Sequence, residues 1–218
     1  MDTAALHEKV CAASRRTVAE GLNRGRSGNV SARWRDGFLI TPSGLPSAGL
    51  APQQIVRMSA AGEWDGDCGG DVRPSSEWRI HRDIYAARPE VGAMVHAHAP
   101  FAVALACLRQ PIPAFHYMVA LAGGRDIRCA DYAVFGSQAL SGHVLAALDG
   151  RRACLMANHG LVALGADLDA AVDLAVEVEA LCEQYWRARG LGEPVLLTDA
   201  EMDAVIDRFK DYGPPQRA

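Results

Sequence analysis

Leu6, Val10 and Ala13, then Val18 and Leu22, recur at helical spacing until Gly21 and Gly25 stop the pattern, so the chain opens on a helix of about five turns. Asn29 to Trp34 and Phe38 to Thr41 flank Asp36-Gly37, a pair that a tight type I′ turn favours, which predicts a β-hairpin. Ile55 to Met58 reads as another strand, and the glycine-rich tract from Gly62 to Asp71 as a connecting loop rather than a linker between domains. Ser75-Ser76-Glu77 opens a helix with Ile80, Ile84 and Ala87 on its apolar face, a serine available as N-cap and Pro89 marking the stop. Ala93 to His98 reads as a strand and Phe101 to Leu108 as a short buried helix. Ala153 to Ala157 reads as a strand ending at Asn158-His159-Gly160, with Leu161 to Leu164 continuing it beyond the glycine. Val172, Val176, Leu181 and Tyr185 line one face of a long helix whose solvent side carries Asp173, Glu177, Gln184 and Arg187; Asp199 to Phe209 forms the last helix. Hairpin strands mixed with helices that do not strictly alternate predict an α/β layer fold with a mostly antiparallel sheet.

At 218 residues, half of them apolar, the chain is long enough for one continuous core. Its longest apolar stretches, Val91 to Val95 and Phe101 to Leu108, end well short of the roughly 20 residues that a membrane span needs, so no membrane partner is expected. The segment from Met1 to Leu6 lacks the basic and apolar regions of a signal peptide, and a cytoplasmic location is the expectation. Cys11, Cys68, Cys107, Cys129, Cys154 and Cys182 are scattered without a C-x-x-C pair, which fits neither a disulfide framework nor a thiolate zinc site; they read as reduced, mostly buried thiols. The formal charge of −4 is spread along the chain with no basic stripe, which argues against nucleic acid and leaves a small molecule or another subunit as partner.

His96-Ala97-His98 is the sharpest local signal: residues two apart on a strand project from one face and can offer two imidazoles to one metal ion. Two histidines inside an apolar run are costly to bury unless each finds a partner, and a metal satisfies both. His159, between a strand end and Gly160, is the candidate third ligand. Glu77, at a helix start behind two serines, suits an acid/base carboxylate or a fourth, displaceable ligand; a favourable charge at a helix N-terminus explains it equally. His7, His81 and His143 read as surface residues, and His116 lacks comparable context. Ser27-Gly28-Asn29, Thr41-Pro42-Ser43-Gly44 and Ser75-Ser76 each offer hydroxyl, amide or backbone N–H groups; singly they are turns, and together beside the histidines they suggest phosphate next to metal.

The strings G-L-N-x-G-x-x-G-N-V-S from Gly21, L-I-T-P-S-G from Leu39, P-S-S-E-W-R from Pro74, V-H-A-H-A from Val95, P-A-F-H-Y-M from Pro113, N-H-G-L from Asn158 and F-K-x-Y-G from Phe209 resemble the class II aldolase/epimerase family, most closely its L-fuculose-1-phosphate aldolase branch. The resemblance implies a single-domain three-layer α/β/α fold over residues 1–218 and a divalent metal, zinc or else Mn2+ or Co2+, on Glu77, His96, His98 and His159. It implies phosphate on Gly28, Asn29, Ser43, Gly44, Ser75 and Ser76, with Phe135 and Tyr212 on the aldehyde side. It further implies a homotetramer with intersubunit active sites, in which a neighbour's Tyr117 donates a proton, and reversible cleavage of a ketose 1-phosphate to dihydroxyacetone phosphate and an aldehyde.

Two relatives with other chemistry remain open, the pentulose-5-phosphate 4-epimerases and the methylthioribulose-1-phosphate dehydratases. Such epimerases typically carry Asp where Glu77 stands and an acidic residue after the position of His116, whereas Tyr117-Met118 follow here. A fold kept only as an interaction module would have lost the histidines, and all three are present. The sequence offers no account of Arg26 or Arg125.

Overall fold

A computed structural model describes residues 3–64 and 72–210. The chain forms, in order, α1 (Thr3–Ala19), β1 (Asn29–Trp34), β2 (Gly37–Ile40), β3 (Val56–Met58), α2 (Trp78–Ala87), β4 (Ala93–Ala97), α3 (Pro100–Ala106), β5 (Cys129–Ala130), α4 (Gln138–Ala147), β6 (Ala153–Met156), β7 (Gly160–Gly165), α5 (Leu168–Leu191) and α6 (Asp199–Lys210). A 3-10 helix covers Tyr117–Ala122. The strands make one sheet in the order β3-β2-β1-β4-β7-β6-β5, antiparallel throughout except for the β5–β6 pair.

Every other residue along the central strands faces the opposite side, and both sides are covered. Val30, Ala32, Val95, Ala97, Leu161 and Ala163 pack with α1, α3 and α5. Met94, Cys154, Met156, Val162 and Leu164 pack with Ile80, Ile84 and Tyr85 of α2 and with Leu140 and Val144 of α4. The result is the expected three layers, helix on sheet on helix. No helix among the described residues is long and apolar enough to cross a membrane, and Cys11, Cys107, Cys129, Cys154 and Cys182 are free thiols.

Several expectations are corrected. The β1–β2 turn is Arg35-Asp36, since Trp34 pairs with Gly37, and Arg35 takes the positive φ of 51°. Gly37 sits in β2 for a steric reason: a Cβ there would lie 2.0 Å from the Met58 carbonyl oxygen on β3. Leu161 to Leu164 do not continue the preceding strand; Asn158, at φ 54°, reverses the chain and β7 returns antiparallel along β6. No serine caps α2, which begins behind Glu77, and the Ser75 hydroxyl accepts from the Glu77 N–H at 3.3 Å instead. Ala87, expected on the apolar face of α2, is exposed.

His7 and His81, expected at the surface, are buried at 8% and 0% exposure, because α1 packs His7 against the Pro52 carbonyl while α2 turns His81 onto the sheet. His143 is half-buried, with Nδ1 by the Asp131 carbonyl. No element had been expected between Leu108 and Ala153. There α4 has Gly142 inside it but opens on a Ser137 cap, whose hydroxyl accepts from Leu140 N–H at 3.1 Å. Arg125 acquires a role: it pairs with Asp199 at 2.7 Å and Asp203 at 2.6 Å, tying α6 to the body. Tyr212 and Cys68 lie outside the described residues.

Replacing Gly37 with Ala forces β2 and β3 apart and is expected to destabilise the fold by about 1–3 kcal/mol. A urea denaturation midpoint equal to that of the unmodified protein contradicts this account of the hairpin.

Candidate functional site

Met94, His96 and His98 lie two apart, so both histidines leave β4 on the face covered by α2. His96 stands opposite Asn29 of β1 and Val162 of β7, inside the sheet, and is wholly buried. His98 lies just past the strand end, and its backbone N–H donates to the buried Asn23 side chain at 3.0 Å. His159 comes from the β6–β7 turn, which packs against β4 only because residue 160 is glycine: a Cβ there would sit 2.3 Å from the Ala97 carbonyl oxygen. Glu77 enters from the N-cap position, immediately before α2.

These side chains converge. Glu77 Oε2 lies 3.0 Å from His96 Nε2, and Oε1 lies 3.3 Å from His159 Nε2. His96 Nε2 and His98 Nε2 are 3.0 Å apart, and one donor atom from each of the four residues falls within 4.8 Å of all the others. His96 Nδ1 donates to the Leu161 carbonyl at 2.9 Å, which turns the Nε2 lone pair toward its neighbours. Glu77 Oε1, buried, has no hydrogen-bond donor. Imidazole nitrogens facing one another beside an unsatisfied carboxylate oxygen fit a divalent cation, which would serve all of them at once.

The electrostatics agree. Burial pushes the Glu77 carboxyl up, but His96, His159 and His98 overcome this and hold it below the usual carboxylate range. Burial and the neighbouring His96 lower His98 and His159 to about 4, while His96 is raised because Glu77 outweighs its own desolvation.

A cavity of about 350 Å3 opens beside the cluster. Gly28, Asn29, Ser43, Gly44, Ser75 and Ser76, the residues expected to hold phosphate, all line it, together with Glu77, His98, His159 and Phe135. Gly28 adopts φ 76°, and a side chain there would meet Asn23 at 2.3 Å, so the loop can pass only as glycine. Tyr117 is not in the lining; it is 47% exposed, its ring 6.4 Å from that of Phe209.

Sequence reasoning missed two features. Arg26, exposed, lies on the wall of the cavity beside the phosphate set. Behind Glu77 runs a buried polar row: Asn29 Nδ2 donates to Glu77 Oε2 at 3.2 Å, Asn29 Oδ1 lies 2.5 Å from His81 Nε2, and Ser31 Oγ lies 2.6 Å from His81 Nδ1 and 2.7 Å from the Tyr85 hydroxyl. A signal for it was present: Glu77, His81 and Tyr85 are four apart on a helix, and Asn29 and Ser31 two apart on a strand.

Residues 8–186 match the family model described as the Class II Aldolase and Adducin N-terminal domain. The chain belongs to this family. A 5-methylthioribulose-1-phosphate/5-deoxyribulose-1-phosphate aldolase of Rhodospirillum rubrum is 56% identical over 209 residues, covering 96% of this chain and 93% of that protein. An L-fuculose phosphate aldolase of Escherichia coli is 46% identical over 194 residues, 88% of each chain. A solved L-fuculose 1-phosphate aldolase superposes with a TM-score of 0.90 at 38% identity, covering 96% of this chain and 98% of its own.

In metal-free protein, His81, His98 and His159 stay neutral in the fold, at about 3, 4 and 4, while the unfolded chain takes up protons near 6.5. Their contribution is therefore present above pH 6.5 and lost as pH falls, at up to about 1.4 kcal/mol per pH unit each, less for the partly exposed pair. His96, shifted the other way, offsets part of it. The urea midpoint of metal-free protein should be lower at pH 5.5 than at pH 7.5, and an equal or higher midpoint at pH 5.5 refutes the assignment.

Proposed function

We propose that this chain is a divalent-metal aldolase, a carbon–carbon lyase that reversibly cleaves a ketose 1-phosphate into dihydroxyacetone phosphate and an aldehyde. The observation that carries the reading is the joining of the Glu77, His96, His98 and His159 cluster to a cavity walled by glycine, serine and Arg26, a surface suited to a phosphate. The names of the relatives supply the reaction class, and the 56% identity favours a 5-methylthioribulose or 5-deoxyribulose 1-phosphate over fuculose 1-phosphate. Zinc is the proposed metal, with Mn2+ or Co2+ as substitutes. The reading takes residues 1–218 as a single domain and the enzyme as cytoplasmic.

Glu77, His96, His98 and His159 hold the ion, three imidazoles and a displaceable carboxylate being a catalytic rather than a closed structural set. Such an ion, when bound, supplies Lewis acidity to the substrate oxygens on which negative charge develops. Ser43, Ser75 and Ser76 donate hydroxyls to the phosphate, Gly28 and Gly44 let the backbone approach it, and Arg26 adds a charge at the mouth. The Asn29 amide is engaged with Glu77 and His81, so its contribution there falls to the backbone. Phosphate fixed away from the breaking bond orients the C3–C4 bond. In the synthesis direction Glu77, as its carboxylate, takes a proton from C3 of dihydroxyacetone phosphate, C3 adds to the aldehyde carbon, and Tyr117 donates its hydroxyl proton to the oxygen that becomes the C4 hydroxyl. Cleavage runs the same steps backward, and the proton gained by Glu77 returns to Tyr117 through solvent. The reading assigns Tyr117 to a neighbour's site within a homotetramer, and its exposure and its absence from its own chain's cavity lining are in keeping with that. Phe135 and Tyr212 line the aldehyde side.

Dihydroxyacetone phosphate release, coupled to NADH oxidation by glycerol-3-phosphate dehydrogenase, tests the reading on zinc-loaded enzyme given fuculose, 5-deoxyribulose and 5-methylthioribulose 1-phosphates. Release is expected, fastest from the two ribulose derivatives; none from any of them refutes the aldolase in favour of an epimerase or dehydratase. His96→Ala and His159→Ala should each lose bound metal and activity together, and full activity in either sinks the ligand assignment. Tyr117→Phe should keep its metal while kcat falls about 100-fold, and an unchanged rate removes Tyr117 from the mechanism.

A further inference from the structure

Glu77, at the N-cap of α2, continues the stripe that His81 and Tyr85 form on the helix, and Asn29 and Ser31 share a face of β1, so the two elements interleave their polar side chains. The order is Glu77, Asn29, His81, Ser31, Tyr85, joined by contacts of 3.2, 2.5, 2.6 and 2.7 Å. All five are buried, His81 and Ser31 completely.

The donors and acceptors in this row can be ordered in only one way. A carboxylate only accepts, so Asn29 must turn Nδ2 to Glu77 and Oδ1 to His81. Two acceptors cannot share a 2.5 Å contact, so His81 Nε2 carries the proton. Burial keeps the His81 ring neutral, which leaves Nδ1 as the acceptor of the Ser31 hydroxyl. Ser31 Oγ in turn accepts from the Tyr85 hydroxyl, which burial holds protonated. Each hydrogen is used once, and the row runs in one direction, from Tyr85 to Glu77.

We propose that His81 is a positioning residue for Glu77: held as the Nε2–H tautomer by Ser31 and Tyr85, it locks the Asn29 amide so that one carboxylate oxygen is anchored and the other is left aimed at His159. The opposite tautomer sets a lone pair against Asn29 Oδ1, and the amide flip that relieves this turns Oδ1 on Glu77. The carboxylate must then swing. His81 thus acts on turnover through Asn29 and Glu77, without touching substrate or ion. Its effect on turnover rests on the aldolase reading; its tautomer does not.

The test uses zinc-loaded enzyme labelled with 15N in histidine. Long-range 1H–15N spectra should place the His81 proton on Nε2 alone, and an Nδ1–H or doubly protonated ring overturns the proposal with no variant needed. His81→Phe, which keeps a planar ring and removes both nitrogens, should retain one zinc per chain while kcat falls about 10- to 100-fold with KM changed by less than about threefold. His81→Gln restores a donor toward Asn29 and should recover part of that loss. Full kcat in His81→Phe, or His81→Gln no faster than His81→Phe, overturns it. Nε2–H His81 in an enzyme that cleaves no ketose phosphate would support the chain of hydrogen bonds and overturn the aldolase reading.

Discussion

A carboxylate and three imidazoles drawn together out of water constrain everything near them. Glu77 and His96 are almost wholly removed from solvent, and no backbone donor reaches Glu77 Oε1. Such a group of lone pairs is tolerable only if a cation or shared protons occupy its centre. The rest of the architecture holds the four donors at that separation. Because β4 lies between β1 and β7, His96 is fixed by both neighbours, while glycine at 160 lets the next hairpin bring His159 within reach.

The second layer of helices serves the same end. α2 carries Glu77 at its N-cap and then, one helical repeat at a time, lays His81 and Tyr85 against β1. The polar row behind the carboxylate is therefore a product of two periods meeting, two along the strand and nearly four along the helix. On the open side, loops that carry glycine at 28 and 44 and serine at 43, 75 and 76 leave a cavity with backbone and hydroxyl donors beside Glu77 and the histidines. In the proposed function, a phosphorylated substrate is gripped at one end and polarised at the other without the two functions competing for the same side chains.

Much of this was legible in the sequence, for physical reasons. H-x-H on an apolar strand and a histidine before glycine carry their geometry in their spacing, and the helices other than α4 announce themselves by period. What was illegible depended on contacts distant in sequence. His81 looks like a polar residue on an amphipathic helix until Ser31 and Asn29 arrive to satisfy both its nitrogens. The glycine of Asp36-Gly37 reads as a turn former, yet its reason is the Met58 carbonyl on the third strand. The reversal at Asn158 is invisible to hydrophobic period, since both arms are apolar throughout. Arg125 had no local explanation because its partners lie on the last helix.

X-ray absorption at the zinc edge on the loaded, wild-type protein bears most directly on the central claim. The account predicts three imidazole nitrogens at about 2.0–2.1 Å, oxygen at about 2.0–2.2 Å and no sulfur. Fewer than three imidazoles, or a sulfur shell near about 2.3 Å, would contradict it.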